Sequence, residues 1–500
     1  MHSYVTYRLR IRPAAGSRLG LSRATGAALL VGGLALLVYI LTLAPTVFLL
    51  DSAELTLAAA TLGLVHSPGY PLHLVLGHFV TYLPVGDLGY RLNLLSALAG
   101  AGTASALAAL VTRLTRGYLP ALVAGLSYAF CFYAWALSVV AEVYTLQALF
   151  LAGLLLILWQ WRTSGGRGWL LSGAVLAGLA AGNSANTVLW WPGLALLGWT
   201  SPHHRHLSPA DYGRALAALT LGLAPVLYLP LCSASQPEFA QVGHFDAAGQ
   251  FHPLDLTQPR NLIWYLSGGQ FSQWVFRYTP AQYAQEALRF LHWLWAAFLG
   301  AGLPLGAVGI WRLWRRERAA AAGLFLTALL PALFFIGYRI MDKDTMFLPV
   351  YLVWAVFLGL GVGWLLEHVP QWARPLALVL PAALFWVNLS YADVSDFSYP
   401  LEQAHERLLA AEPNALYLST WGEAELMRYH QMVNGLRPDV KVVNLFFITS
   451  ENLEALVESR LEGDGHVYST YSAPALPRRF RLEEDGEVYR VILRSDWYET

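Results

Sequence analysis

The chain has 500 residues, of which 56% are hydrophobic and only 13% are charged, and it contains 19 tryptophans. A soluble domain of this length does not have such a composition, so the sequence predicts a polytopic α-helical membrane protein. Its 32 basic residues balance its 32 acidic residues, so bulk charge indicates neither a nucleic acid nor an acidic partner.

The first predicted element is a membrane span at residues 25–45, preceded by an arginine-rich segment, residues 1–24. The apolar run is longer than the core of a secretory signal, and further spans follow it. The positive-inside rule places residues 1–24 in the cytoplasm. We therefore expect a multi-pass protein of the cell inner membrane.

Further spans follow from apolar runs of about 20 residues, the length that crosses a bilayer. They are predicted at residues 92–112, 119–138, 142–160, 213–231, 288–311, 321–338, 346–366 and 374–391. The stretch 169–199 is long for one helix and is interrupted around Asn183. Splitting it into two short segments puts all the arginine clusters on the cytoplasmic side. Residues 25–392 are thus expected to form a transmembrane domain of about eleven spans.

This topology collects the unusual polar residues on the external face, in a first loop at residues 46–91 and another at residues 232–287. Asp51 and Glu54 lie just after the first span, where moving a carboxylate into hydrocarbon costs several kcal/mol. Such residues face a polar cavity, a partner or the membrane interface. Their spacing also fits an N-capping box, in which both side chains only satisfy helix-start N–H groups. Spacing alone does not decide between catalysis and capping.

Other candidate residues on this face can also have a purely structural role. His66 precedes a Ser-Pro-Gly turn and is either a turn residue or a hydrogen-bond donor in a site. Glu142, predicted at a helix start, is either a functional carboxylate or a cap. Asn183 and Asn186 lie at the interrupted segment and either bind a ligand or bridge two helices.

Beyond residue 392 the hydropathy falls, and residues 393–500 are predicted to form a small external α/β domain. Helices are expected at residues 401–411, 423–433 and 451–461, and strands at 415–418, 440–445, around 467 and at 488–493. The chain has no Gly-x-Gly-x-x-Gly, Walker, Cys-x-x-Cys or His-Glu-x-x-His motif, which disfavours nucleotide hydrolysis and metalloprotease chemistry. Cys131 and Cys232 lack metal-type spacing and are predicted to be small core residues.

Several motifs together resemble one membrane family. They are Asp51-Ser-Ala-Glu54, His66-Ser-Pro-Gly-Tyr-Pro71, Arg91-Leu-Asn-Leu-Leu-Ser96, Glu142-Val-Tyr144, the stretch from Arg260 to Gln270, and Asp342-Lys-Asp344-Thr-Met-Phe-Leu-Pro349. On these residues the chain is identified as a bacterial member of the family that includes transmembrane protein 260, a protein O-mannosyltransferase. That family is similar to the GT-C superfamily of glycosyltransferases, so the resemblance implies a GT-C-like helical bundle.

The same resemblance implies an activity. It is that of an inverting glycosyltransferase, which moves a sugar such as mannose from a polyprenyl-phosphate-linked donor to a hydroxyl of a protein or glycan acceptor at the external face. An acidic residue of the first external loop is the base in that superfamily, which corresponds to Asp51 here, with Glu54 in support. The scheme requires no divalent metal, although the sequence leaves metal participation open, and no nucleic-acid partner is expected. The chain departs from the family at Gly182-Asn183-Ser184, where Gly-Asn-His is expected, so a histidine role there is absent or moved.

A departing phosphate needs a cation or N–H donors. Arg339 is the first candidate because a guanidinium group binds phosphate oxygens bidentately. Arg91 and Arg260 are rivals, and His66 is a further donor. The remaining candidates for substrate binding are Glu142, Tyr144, Asn183, Gln270, Asp342 and Asp344. The segment 342–344 resembles a metal-binding Asp-x-Asp, but ion pairs with Arg339 or Lys343 explain it equally well.

Two other classes of function fit parts of the pattern. A transporter or lipid flippase would also have many spans, a broken segment and polar residues at membrane depth. The sequence shows no inverted repeat, and its unusual residues cluster at one face instead of the midplane, which favours a transferase. A non-catalytic assembly factor for envelope polymers is the third class, and it predicts that Asp51→Asn leaves the phenotype intact.

Overall fold

The computed structural model describes residues 18–472, 476–477 and 479–493. Most of the predicted N-terminal segment, residues 1–17, therefore lies outside the described residues, as do residues 473–475, 478 and 494–500 of the predicted external domain. The first half of the bundle contains α1 (Arg18–Leu41), α2 (Ser52–Thr61), α3 (Pro71–Val80), α4 (Leu88–Thr115), α5 (Tyr118–Ala129), α6 (Phe132–Ser138), α7 (Tyr144–Ser164), α8 (Arg167–Asn183), α9 (Trp191–Trp199), α10 (Pro209–Gly222) and α11 (Tyr228–Ala234).

The second half begins with a hairpin of β1 (Gly243–Phe245) and β2 (Phe251–Pro253) in the predicted external loop. It continues with α12 (Pro259–Leu266), α13 (Pro280–Ala297), α14 (Gly302–Arg316), α15 (Arg318–Ile336), α16 (Leu348–His368) and α17 (Val379–Ala392). The central helices are α4, which packs against α1, α5 and α7, and α16, which packs against α14, α5 and α15. Their alanines, valines and leucines form one continuous apolar core.

The predicted polytopic helical architecture is confirmed. Among the described residues, seven helices are long and apolar enough to cross a membrane, or up to nine if each of two bent pairs is one span. The stretch 169–199 divides as predicted, into α8 and a segment that combines a 3₁₀ turn, Ala185–Trp190, with α9. The counted helices and bent pairs match nine of the eleven predicted spans, whereas α8 and the segment of residues 185–199 are not among them.

Two of the predicted spans contain a bend that the sequence analysis did not predict. The segment predicted at residues 119–138 is divided into α5 and α6, which meet at 63°. The segment predicted at residues 288–311 is divided into α13 and α14, which meet at 96°. Leu299 and Gly300 have left-handed backbone conformations, with φ of 50° and 67°, which end the helix there. Hydrophobicity runs through both bends, so apolar pattern alone does not reveal them.

The predicted α/β domain is present at the C-terminal end. It contains α18 (Tyr399–Ala410), β3 (Leu416–Ser419), α19 (Trp421–Asn434), β4 (Lys441–Asn444), α20 (Ser450–Glu462), β5 (Val467–Ser469), β6 (Phe480–Asp485) and β7 (Val488–Leu493). The sheet has the order β4-β3-β5-β7-β6, with β3 parallel to β4 and β5, and β7 antiparallel to β5 and β6. The sequence analysis missed β6 because this edge strand, Phe-Arg-Leu-Glu-Glu-Asp, is mostly charged, as edge strands often are.

This domain is docked onto the bundle through several contacts. Helix α19 packs against α2, and the hydroxyl of Tyr429 donates a hydrogen bond of 3.1 Å to the Asp87 carboxylate at the start of α4. Asn452 Nδ2 donates to the carbonyl of Phe245 in β1 at 3.0 Å. The C-terminal domain and the loop at residues 232–287 therefore cover the end of the bundle where Asp51 lies.

Candidate active site

Asp51 occupies the N-cap position of α2 without capping it. Its main-chain carbonyl accepts from Leu55 N at 2.8 Å, but its side chain makes no hydrogen bond to the helix start. Ser52 Oγ accepts instead from Phe48 N at 3.0 Å, upstream of the helix. The capping-box alternative is therefore wrong, and the Asp51 carboxylate, about 20% exposed, faces His66.

Glu54 lies one turn further along α2 and is completely buried. Its carboxylate accepts from the main-chain N–H of His66 at 2.6 Å and lies 3.0 and 3.1 Å from Nδ1 of the same residue. The Glu54 carboxylate thus assigns the Nδ1 proton to His66 and fixes its ring. The other ring nitrogen, Nε2, lies 3.7 Å from Asp51 Oδ2. The imidazole therefore stands between the two carboxylates of the first motif.

The external loop holds His66 in this position. Gln270 Oε1 accepts from Ser67 N at 3.0 Å, and the carbonyl of Tyr265 accepts from the Ser67 hydroxyl. The hydroxyl of Tyr265 donates to the carbonyl of Val65 at 2.5 Å. Residues on both sides of His66 are thus fixed by α12 and the turn after it. His66 is therefore bound within the cluster and does not serve only to form a turn. Gln270 contributes by holding the loop that contains His66.

Two further carboxyl groups interact electrostatically with Asp51 and His66. Glu142 is 5% exposed, and its Oε2 atom has no hydrogen-bond partner within the described parts of the chain. Helix α7 starts two residues later without a side-chain cap, so the capping alternative for Glu142 is also wrong. Asp342 is half-buried in the loop before α16. Burial and the nearby charge of Asp51 raise the pKa of Asp342 to about 6. Burial, Asp51 and Asp342 raise the pKa of Glu142 well above its usual range.

His66 is the cation of this cluster. Burial lowers its pKa, but Glu54 and Asp51 outweigh that effect and raise the pKa of His66 to about 10. The ring is therefore an imidazolium near neutral pH. One imidazolium faces four carboxyl groups, Asp51, Glu54, Glu142 and Asp342, so the cavity carries excess negative charge unless some of the buried acids hold protons.

Lys343 turns away from its acidic neighbours. It is 3% exposed, pairs with the buried carboxylate of Glu286 in α13, and donates to the hydroxyl of Tyr278 at 3.1 Å. No ion pair in the described chain joins Asp342 or Asp344 to Arg339 or Lys343, so the predicted pairing alternative is wrong. Burial also raises the pKa of Asp344.

Of the three candidate arginines, one makes its contacts away from the His66 cluster, and the other two have exposed side chains. Arg91 donates to the carbonyls of Thr81, Val85 and Gly86 at 2.6, 2.9 and 3.1 Å, and so holds the turn after α3. Arg260, in the first turn of α12, and Arg339, after α15, both have exposed side chains. The backbone of Arg339 is attached to the turn after α12, which holds the loop of His66, because its N–H donates to the carbonyl of Trp274 at 3.0 Å.

Tyr144 and Asn183 are both buried at helix ends. Tyr144 is the first residue of α7. Asn183 ends α8, and its Oδ1 accepts from the main-chain N–H of His73 in α3 at 2.9 Å. Bridging of helices, one of the two alternatives for Asn183, is thus observed. Asn186 lies in the following 3₁₀ turn and is half-buried.

Aromatic side chains around His66 were missed by the sequence analysis. The rings of Tyr70, Phe271 and Trp421 all meet the imidazole edge-on, with centroids 5.5, 5.6 and 5.5 Å away. Tyr70 and Phe271 lie inside or beside motifs that were recognised. Trp421 comes from α19 of the C-terminal domain, and no local pattern connects it with His66.

Asp51, Glu54 and His66 are residue types that bind metal ions, and they lie close together. Asp51, Glu54 and His66 each place one ligand-type atom within 4.8 Å of the others. Glu54 already accepts the Nδ1 proton of His66, so the opposing pair Asp51 and His66 Nε2 is an incomplete set for a transition metal. Cys131 and Cys232 are buried free thiols, as predicted, and take no part.

Comparison with known proteins agrees with this geometry. The family described as the N-terminal domain of protein O-mannosyl-transferase TMEM260 matches residues 51–207, which include Asp51, Glu54, His66, Glu142 and Asn183. Mouse protein O-mannosyl-transferase TMEM260 is 34% identical over 230 residues, which cover 44% of this chain and 32% of the mouse protein. The chain thus spans about a third of the length of that relative.

Solved structures show the same fold at low sequence identity. ArnT from Cupriavidus metallidurans bound to undecaprenyl phosphate superposes with a TM-score of 0.59 at 14% identity, covering 93% of this chain and 98% of ArnT. Its apo state gives a TM-score of 0.60 at 14% identity, with 94% and 98% covered. The predicted resemblance is therefore confirmed: residues 51–207 match the TMEM260 N-terminal domain in sequence, and the fold resembles that of ArnT over nearly the whole chain.

Proposed function

We propose that this protein is an inverting membrane glycosyltransferase that moves a sugar from a polyprenyl-phosphate-linked donor to a hydroxyl acceptor. The observation that carries the proposal is the Asp51 carboxylate, which caps no helix, is partly exposed, and lies 3.7 Å from the imidazole of a histidine fixed by Glu54. Asp51 is exposed enough to reach the substrate, whereas the groups beside it are buried and cannot. A carboxylate in this position has the environment of a general base.

The proposed reaction is a direct displacement. Asp51 accepts the proton of the acceptor hydroxyl, and the acceptor oxygen forms a bond to the anomeric carbon. The bond from that carbon to the phosphate oxygen breaks, and the phosphate leaves with the electron pair. Attack opposite the leaving group inverts the anomeric centre. A phosphate is already a good leaving group, so one carboxylate suffices, unlike the two needed for glycoside hydrolysis.

Glu54 and His66 support Asp51 in this scheme. The imidazolium of His66 balances the negative charge of Asp51, while Glu54 holds the ring through Nδ1 and the main-chain N–H. Charge-assisted hydrogen bonds of this kind are stronger than neutral ones and fix geometry. Glu54 is completely buried, so it positions His66 instead of contacting substrate.

The other candidates receive narrower roles. We propose Arg339 for the phosphate, because its side chain is exposed and its backbone is bound to the turn that follows α12. We propose that Tyr144, Glu142, Asp342 and Asp344 contact the substrate. Arg260 is a second cation for an anionic donor, and Arg91 acts only by holding its turn. No step in the scheme requires a metal.

The comparisons and the topology support a proposal for the sugar, the acceptor and the location. The mouse relative is named as a protein O-mannosyl-transferase, which supports mannose as the sugar and a Ser or Thr hydroxyl as the acceptor. The ArnT structure holds undecaprenyl phosphate, which supports a polyprenyl-phosphate carrier. We place the protein in the cell inner membrane with its N-terminus in the cytoplasm, and its active site and C-terminal domain outside.

Transfer of labelled sugar from a lipid extract to protein acceptors tests the proposal. Loss of a general base lowers rates by about 10²–10⁴-fold, so we expect Asp51→Asn to lose that much activity. Asp396→Asn is the matched control, because Asp396 is an exposed carboxylate outside the cluster. Equal rates in wild type and Asp51→Asn would remove Asp51 as the base. Movement of labelled lipid or solute across proteoliposomes, without transfer, would favour the transporter or flippase.

A further inference from the structure

A pocket of about 400 Å³ lies between the loop at residues 232–287 and the C-terminal domain. The side chains that form most of its wall are Trp264, Gln270, Gln273 and Trp274 from the loop, and Phe446 and Phe447 from the domain. Its volume is within the range of about 300–1,000 Å³ that small-ligand pockets have. The side chains of Trp264 and Gln273 are exposed, so a ligand can enter the pocket in the folded protein.

The wall of this pocket is neutral. Among the described residues that line it, none is an aspartate, glutamate, lysine, arginine or histidine. The aromatic rings offer apolar surface, and the glutamine amides offer both donors and acceptors of hydrogen bonds. A phosphate would find no cation here, so the lipid-linked donor does not fit. The lining fits an uncharged group with an apolar body and hydrogen-bonding neighbours.

The pocket is next to the His66 cluster. The ring of Phe446 packs against that of Phe271, with centroids 5.9 Å apart, and the ring of Phe271 meets His66 at 5.6 Å. Gln270 belongs both to the pocket wall and to the contacts that hold the loop of His66. An extended polypeptide advances about 3.3–3.6 Å per residue, so a chain bound in the pocket reaches the cluster within about five residues.

Strand β1 contributes a free edge to the pocket. Gly243 of β1 lines the pocket and is opposite Pro253 in the hairpin. The preceding pair along the hairpin is hydrogen-bonded, because Leu254 N donates to the carbonyl of Val242 at 2.9 Å. Hydrogen-bonded and non-hydrogen-bonded pairs alternate in an antiparallel ladder, so Gly243 and Pro253 form a non-hydrogen-bonded pair. The N–H and the carbonyl of Gly243 therefore point away from β2.

The C-terminal domain covers this edge of β1 only further along. Phe245 pairs with Ile448, and its carbonyl accepts from Asn452 Nδ2 at 3.0 Å. At Gly243 the same edge has no hydrogen-bond partner in the part of the chain that the structure describes. A free strand edge binds an extended peptide through main-chain hydrogen bonds, and pockets beside the edge take its side chains. A glycan would also fit the aromatic wall, but the strand edge favours a polypeptide.

We propose that this pocket binds an apolar, uncharged side chain of an extended acceptor peptide, whose main chain pairs with Gly243. The serine or threonine that receives the sugar lies within about five residues of that side chain, the distance that an extended chain needs to reach His66. This inference rests on the proposed function and adds the recognition site of the acceptor. It implies that acceptors are selected by an apolar residue close to the hydroxyl.

Binding of two labelled peptides to the purified full-length protein, measured by fluorescence anisotropy in detergent, tests the pocket. Both are short neutral Gly-Ala chains with a central threonine, and one has phenylalanine where the other has alanine, about four residues from the threonine. We expect the phenylalanine peptide to bind about 3- to 10-fold more tightly, which is the effect of one aromatic contact. Equal affinity of the two peptides would overturn the proposal.

N-methylation of the peptide tests the strand pairing. Methylating the main-chain nitrogens around the phenylalanine one at a time removes one donor in each peptide. We expect weaker binding at the position that pairs with Gly243 and little change at its neighbours, whose N–H groups point the other way. If every position tolerates the methyl group, the peptide does not pair with the edge of β1.

Substitutions in the protein locate the site. Trp264→Ala removes one wall and should weaken binding of the phenylalanine peptide about 3- to 10-fold, whereas Ile263→Ala, at an exposed neighbour in the same helix, should not. Gln273→Glu brings a charge to the neutral pocket at an exposed position and should also weaken binding. Gln258→Glu, exposed in the same loop outside the pocket, is its control. Unchanged affinity in both Trp264→Ala and Gln273→Glu would remove the peptide from this pocket.

Competition identifies the class of ligand. Unlabelled phenylalanine peptide should displace the labelled one, and a neutral oligosaccharide such as maltoheptaose should not. Displacement by the oligosaccharide at the same concentration would overturn the assignment in favour of a glycan. The assay contains no sugar donor, so weaker binding in the variants supports the pocket even if wild type transfers nothing. Transfer that is independent of the phenylalanine, in a protein that binds both peptides equally, would overturn the pocket and leave the proposed function intact.

Discussion

Asp51 and Glu54 are three residues apart, but their environments give them different chemistry. Asp51 is about 20% exposed, whereas Glu54 is completely buried against His66. Burial disfavours a charged carboxylate unless a partner compensates, and His66 is that partner. Exposure therefore selects Asp51 as the group that can meet an acceptor hydroxyl, a distinction that spacing alone did not make.

Glu54→Gln tests the positioning role at the level of a single residue. The substitution removes the charged acceptor for His66, and losing one charge-assisted hydrogen bond of about 1.5–3 kcal/mol should lower transfer about 10- to 100-fold. The pH dependence should change as well. The pKa of His66, about 10 with Glu54 present, should fall, so that activity in the variant declines as pH rises across the assay range.

Stability gives an independent measurement of the same contact. A histidine whose folded pKa lies above its unfolded value stabilises the fold fully below the unfolded pKa and loses that contribution as pH rises through the folded pKa. Wild type should therefore lose thermal stability from about pH 6.5 to 10, and Glu54→Gln should lose less. Glu406→Gln, at an exposed site, is the control. Parallel stability curves for wild type and Glu54→Gln would contradict the role of the pair.

The first acidic motif could be predicted from sequence, but its full surroundings could not. Asp51, Glu54 and His66 lie within sixteen positions of one another, and local motifs revealed them. Trp421 lies more than 350 positions away and meets His66 only because α19 packs on α2. A single sequence contains no signal for such a long-range contact, so this part of the site had to come from the structure.

At the level of elements, breaks in two helices border one of the pockets. The break at Asn183 could be predicted, because glycine and asparagine interrupt an apolar run there. The interruption after Gly222 could not, since the apolar pattern continues through residues 213–231 and predicts one uninterrupted span. The bend between α13 and α14 was missed for the same reason. Hydrophobicity reports burial in lipid or protein, and helix continuity depends on backbone conformation.

Gly222→Ala tests the contact that brings α8 and α10 together. Its Cβ would lie 2.2 Å from the carbonyl oxygen of Val175, so the helices must separate, at a cost of about 1–3 kcal/mol for overpacking. We expect a lower melting temperature. Gly213→Ala in the same helix is the control, because a Cβ there meets nothing within 4 Å. If the two variants melt alike, close packing at Gly222 does not stabilise the pair.

At the level of the whole molecule, the C-terminal domain contacts the proposed active site. The sequence predicted its α/β class and most of its elements, because strands and amphipathic helices have clear local patterns. It did not predict that α19 would cover the catalytic loop. Gly422 lies against the backbone of Leu50, where an added Cβ would be 3.2 Å from Leu50 N, and Trp421 closes one side of His66. The domain thus contacts the residue before Asp51 and the ring beside it.

Trp421→Ala tests whether the domain completes the site or only tethers an acceptor. Trp421 packs edge-on against His66 and contacts Phe446, with ring centroids 5.5 and 4.9 Å apart, so its loss admits water beside the imidazolium. Interactions between charges weaken when water enters, because the local dielectric constant rises. We expect transfer to fall about tenfold, mainly in kcat, since one such contact is worth about 1 kcal/mol.

Two comparisons make the outcome of this experiment specific. Trp421→Phe should retain most of the activity, because a ring still excludes water from His66. Trp372→Ala should behave as wild type, because Trp372 is 79% exposed and lies in the turn before α17. A domain that only tethers an acceptor predicts instead that Trp421→Ala raises KM for the acceptor and leaves kcat unchanged. Measuring kcat and KM separately therefore decides whether α19 is part of the catalytic cavity.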